Sequence, residues 1–107
     1  MAFSFDTAHL LIGADRTQDF QCNHVVNLVL TGTKYGIRAA EYLTWGKQVD
    51  KPAAGVVVVG LDGKHVGIFI SDTEFIHSST SKMRVILAGL DQLPYVFPHK
   101  WQYRIEK

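Results

Sequence analysis

From Cys22 onward the apolar residues fall at positions 22, 25, 26, 29 and 30. That is the i, i+3, i+4, i+7, i+8 spacing of one helical face, so the period predicts a helix starting at Cys22. The valines would also suit a strand, because branching at Cβ stiffens χ1 in a helix. Thr31-Gly32-Thr33 ends the helix, as glycine commonly does. A second helix is predicted from about Ile37 to Trp45, with Gly46 as its stop. Ahead of Cys22 the pattern is mixed, and residues 13–19 read as a polar loop.

After Pro52 the pattern changes. Four consecutive valines at 56–59 predict a buried strand. Leu61-Asp62-Gly63-Lys64 carries the Asp-Gly hairpin signal. Residues 64–70 form the next predicted strand, Ser71-Asp72 turns it, and residues 74–78 return. Residues 84–87 and 101–105 complete an expected antiparallel sheet of about five strands. Residues 90–99 hold two prolines and predict a loop or a single turn of helix. Helices first and strands after imply an α+β fold, with the early helices on one face of the sheet.

Composition narrows the possibilities. A chain of 107 residues suits a single domain spanning 1–107. The formal net charge of +1 offers no electrostatic case for a nucleic-acid partner. No apolar run approaches the roughly 20 residues that a membrane span needs. The opening residues, Met1 to His9, lack the basic start of a secretory signal. With one cysteine there is no internal disulfide, which leaves the redox compartment open. No metal is expected, since neither H-E-x-x-H nor clustered Cys/His spacing occurs.

Three residues remain as candidates for chemistry. Cys22 would sit at a helix N-terminus, where a thiol pKa falls if a histidine is near. His65 begins a strand after a tight turn, and Gly67 beyond it leaves room for close approach. His77 lies across the hairpin. With a Ser71-Asp72 turn, position 65 pairs near 78, beside His77, and the facing of the two rings depends on register. In a working site His65 takes the thiol proton and His77 accepts a hydrogen bond from the other ring nitrogen. The plain alternative is an inert buried thiol and two unrelated histidines. His24, two residues from Cys22 on the helix, is expected to point away from the sulfur, at the surface or in a cleft. Asp15, Arg16 and Asp19 could line a polar cleft but read more simply as a solvated loop, His9 and His99 have no patterned partner, and Tyr35, Tyr42 and Trp45 are expected to pack the second helix, with an aromatic cleft wall as the alternative.

Together these residues resemble the NlpC/P60 family of papain-like cysteine peptidases, over about Phe20 to Ile105. Four segments carry the resemblance: Gln21 to Val26, Arg38 to Val49, Lys51 to Val58, and Lys64-His65-Val66-Gly67-Ile68-Phe69-Ile70 with Glu74-Phe75-Ile76-His77-Ser78-Ser79. The last is the most specific, because it matches the base histidine, the Val-Gly-Ile strand and the third polar residue in order and spacing. The resemblance implies a papain-like fold and a Cys22–His65–His77 triad, with the Cys22 N–H forming part of the oxyanion hole. It implies hydrolysis of amide bonds in peptidoglycan stem peptides or cross-links through an acyl-enzyme, with no metal or cofactor needed. The family usually has aspartate before the cysteine and Ser-Gly after it, where this chain has Gln21, Asn23 and His24. A Gln-Cys pair also occurs in the related CHAP amidases. The same site could serve an acyltransferase or deamidase acting on another substrate. A minimal wall hydrolase of this kind resembles small amidase effectors that bacteria inject into rivals. That implies delivery to the target periplasm or cell wall without a signal peptide, and a cognate immunity protein as partner; the alternative location is the cytoplasm.

Overall fold

The computed structural model describes residues 3–107; Met1 and Ala2, part of the segment read for a signal, lie outside the described residues. The chain is α+β, and among the described residues six antiparallel strands form one sheet. Helices α1 (Phe5–Leu11) and α2 (Cys22–Thr31) come first. Strands follow as β1 (Lys47–Val49), β2 (Val57–Gly60), β3 (Val66–Phe69), β4 (Glu74–Ser79) and β5 (Arg84–Gly89). A short helix, α3 (Leu93–Val96), precedes β6 (Trp101–Ile105). The strand order is β1-β6-β2-β3-β4-β5, so the last strand inserts between the first two.

Each face of the sheet has its own core. Val57, Val59, Val66, Ile68, Ile70, Ile76 and Val85 cluster with Cys22, Val25, Val26 and Val29 of α2. Val56, Val58, Phe69, Phe75 and Ala88 cluster with Leu93 and Phe97 on the other face. The four-valine run therefore divides between two cores, which explains why it shows no polar alternation. Each fully buried valine contributes on the order of 1.5–3 kcal/mol relative to exposure.

The helix beginning at Cys22 forms as expected and ends on Gly32, whose φ of 84° favours glycine. The predicted second helix does not form as an α-helix: residues Ala39–Leu43 make a 3₁₀ turn instead. Ala39, Tyr42 and Trp45 recur every third residue, which suits three residues per turn. Tyr42 is fully buried and donates its hydroxyl to Asn27 Oδ1 on α2, while Trp45 meets it edge-on at 5.3 Å. Tyr35, by contrast, is exposed.

Two elements went unread in the sequence. Helix α1 starts on a Ser4 cap whose hydroxyl accepts the Thr7 N–H at 3.2 Å. Strand β1 is three residues of mostly exposed polar edge, held by pairing Lys47 with Ile105 and Val49 with Tyr103. That third-order signal is too short for periodicity to register, so the sheet has six strands rather than five. Residues 90–99 hold a 3₁₀ turn and the single turn α3, in line with the expectation.

Candidate active site

Cys22 is the first residue of α2, so its sulfur lies where helix N–H groups lack intrahelical partners. His24 shapes this end of the helix rather than facing solvent. It is 9% exposed, and its Nδ1 accepts the Gln21 N–H at 3.3 Å. Its ring meets Tyr35 edge-on at 5.1 Å, and Tyr35 in turn donates its hydroxyl to the Asp19 carboxylate. The chain leading into Cys22 is tied to the sheet, because Ser78 Oγ donates to the Phe20 carbonyl at 2.5 Å.

The hairpin register decides how the histidines meet. Ile68 pairs with Ile76 and Phe69 with Phe75, one residue off the register that a two-residue turn implies. Continuing this pairing sets His77 opposite Gly67, and a Cβ at Gly67 would lie 3.3 Å from His77 Cβ. Since side chains alternate, the one-residue shift places His65 and His77 on the same face. Their rings stand nearly perpendicular, and His65 Nε2 lies 2.9 Å from His77 Nδ1. His65 also stacks near Phe97 at 5.4 Å and His77 near Phe75 at 5.5 Å, so the apolar core of that face holds both rings.

The sulfur comes to the same stretch of β3 from the α2 side. Its hydrogen-bond partner is the Lys64 carbonyl at 4.0 Å, rather than a ring nitrogen. The Val66 N–H points to it as well, so the thiol contacts backbone on both sides of His65. Cys22 is 8% exposed. Burial pushes its thiol pKa up, against the opposing pull of the Val66 N–H, Arg16 and the helix-start N–H groups. Burial also pushes His65 down to about 4, with Arg16 adding to the shift and Asp62 opposing it. His77 falls to about 3 through burial, then through His65 and Arg16. Near neutral pH the resting site therefore holds a neutral thiol and two neutral imidazoles.

A cavity of about 570 Å³ opens beside the histidines. His65 and His77 line it together with Lys64, Ser81, Lys82 and Tyr95. His99 also lines it, although the sequence offered it no partner. Among the described residues no cluster of three His, Cys, Asp or Glu side chains could hold a metal ion. No helix among them is long and apolar enough to cross a membrane.

Two contacts beside the candidate site escaped the sequence reading. Arg16, read as part of a solvated loop, donates through Nη1 to both the carbonyl and the hydroxyl of Ser78 at 2.8 Å. Ser78 itself passes that link to Phe20. Arg16 and Ser78 stand 62 residues apart, and no local pattern joins them. No family model matches the chain, and no curated protein matches it.

Proposed function

We propose that the protein is a cysteine amidase of papain-like, NlpC/P60 type that cleaves amide bonds in peptidoglycan stem peptides or cross-links. The observation that carries this reading is the 2.9 Å link between His65 Nε2 and His77 Nδ1, beside a thiol packed against the backbone that bears His65. With Nε2 committed to His77, Nδ1 of His65 is the nitrogen left to receive the thiol proton.

As the sulfur attacks the amide carbon, its proton moves to His65 Nδ1 and a C–S bond forms. His77 Nδ1 accepts from the His65 Nε2–H and stabilises the imidazolium. The Cys22 N–H at the helix start supplies a donor for the oxyanion. Collapse of the intermediate breaks the C–N bond, and His65 returns the proton to the departing amine. Water then attacks the thioester, giving its proton to His65 and releasing the acid and the thiol. Because thiol and imidazole are neutral at rest, ionisation accompanies attack instead of preceding it.

Incubating the protein with defined peptidoglycan fragments and weighing the products tests this reading. The expected result is a pair of fragments whose masses sum to the substrate plus one water, absent with Cys22→Ala. Unchanged masses would overturn it. Conversion of a side-chain amide to an acid without chain cleavage would replace it with a deamidase.

A further inference from the structure

Residues 13–16 lie along the outer edge of β5. Gly13 N–H donates to the Val85 carbonyl at 2.8 Å, the Val85 N–H donates to Ala14 at 2.9 Å, and Arg16 N–H donates to Met83 at 3.0 Å. Asp15 forms an isolated bridge with Arg84. These bonds use both backbone groups of Val85, which pairs with Ser78 across β4 and β5. In an antiparallel ladder the backbone groups of Ser78 then turn the other way, toward β3. The paired stretch of β3 and β4 is Ile68–Ile76 and Phe69–Phe75, so Ser78 lies where the two strands have parted. Its carbonyl takes the Arg16 Nη1 donor there, and its hydroxyl takes the same nitrogen. That hydroxyl also holds Phe20, two residues before the nucleophile.

We infer that Arg16 is a positioning residue of the site: its guanidinium clamps Ser78, and through it the loop bearing Cys22, and holds a fixed positive charge at the residue next to His77. This rests on the amidase reading for its mechanistic meaning. The chemistry it provides is twofold. A nearby cation favours thiolate over thiol as the proton leaves, and it keeps both imidazoles neutral and so able to accept that proton. Arginine suits this role because its guanidinium is always charged and one of its nitrogens reaches both Ser78 acceptors. The opposing influence is Asp62, which favours the protonated form of His65. The titratable residues on the elements that meet the thiol include Lys64, whose carbonyl lies 4.0 Å from the sulfur, His24 of α2, which lies 3.6 Å from Asp19, and the His65–His77 pair on the strands.

Iodoacetamide alkylation of Cys22 across pH, with NMR titration of the imidazoles of His65 and His77, tests the inference on the intact chain without any substrate. Arg16→Gln is expected to slow alkylation roughly fivefold at a fixed pH below the thiol midpoint. The thiol midpoint and both imidazole midpoints should all move upward. Arg16→Lys should recover most of the rate, because it restores the charge, and Ser78→Ala should fall between, because it keeps the charge and loosens the clamp. Arg16→Met serves as a second neutral variant if Arg16→Gln fails to fold. Neutral variants that overlay the wild type would overturn the inference. So would Arg16→Lys displaced as far as the neutral variants, since a purely structural arginine would behave that way. Failure here leaves the product-mass experiment standing, and failure of that experiment leaves the alkylation result standing.

Discussion

His65 and His77 titrate at about 4 and about 3 in the folded chain, below the ordinary value of 6.5. The unfolded chain takes up protons on both near pH 6.5, whereas the folded chain does so only well below that. Between those limits the unfolded state binds more protons, so stability rises with pH there. The contribution is fully present above pH 6.5 and is lost as pH falls toward 4 and then 3. The melting temperature is expected to drop between pH 7 and pH 4.5, and His77→Gln should flatten that dependence. A melting temperature unchanged across this range would contradict the burial of the pair. His77 Nε2 has no hydrogen-bond partner among the described residues. When Nδ1 accepts from His65, that buried atom carries a hydrogen, a cost on the order of 1–3 kcal/mol that the surrounding packing offsets.

Among the elements, the β3–β4 hairpin has the least tolerance. A Cβ at Gly67 would sit 2.9 Å from the Ile76 carbonyl and 3.3 Å from His77 Cβ. Backbone cannot yield as a flexible side chain can, so Gly67→Ala should force the strands apart at the histidine pair. Urea denaturation should show a loss of roughly 1–3 kcal/mol, and, if the protein is the amidase proposed, its turnover should fall further than stability alone explains. Equal stability and turnover would mean that the hairpin is looser than its geometry. Helix α2 is anchored differently. Tyr42 hydroxyl bonds Asn27 Oδ1, and Asn27 Nδ2 donates to the carbonyls of Lys34 and Ile37 at 2.9 and 3.0 Å. Tyr42→Phe leaves Oδ1 buried and unpartnered, an expected loss of about 1–3 kcal/mol in urea denaturation. The buried asparagine and tyrosine thus join α2 to the 3₁₀ turn, which is why that segment keeps its place without a full α-helix.

At the scale of the whole molecule, one sheet separates two cores, and the candidate residues divide between them at β3. The thiol arrives from the α2 core and the imidazoles from the Phe75–Phe97 core. In the proposed reading, a substrate in the cavity beside His65 and His77 would meet cationic Lys64 and Lys82 along with apolar wall, and Cys22 is not among the residues that line it. If the protein acts on the cell wall as proposed, directing it to the periplasm of a susceptible bacterium should stop growth, while the same amount in the cytoplasm should not. Growth counts with Cys22→Ala as control check this, and harmlessness in both compartments would count against an antibacterial role. A partner that neutralises such an effector would have to cover this cavity or the Cys22 end of α2.

Local pattern in the sequence determined a good deal. The period starting at Cys22 marks α2 because its buried stripe must recur every turn. The valine run marks β2 because both its faces are covered, and Cys22, His65 and His77 stand out as residue types able to carry chemistry. Periodicity had nothing to act on in three-residue β1, and it could not distinguish an α from a 3₁₀ turn over five residues at 39–43. Tertiary structure alone decided the one-residue shift that puts both imidazoles on one face, since register depends on pairing across the hairpin. It alone set the sulfur against the backbone of Lys64 and Val66, and it alone brought Arg16 to Ser78. Those contacts join residues distant in sequence, and their energies come from desolvation and packing that no local stretch of the chain contains.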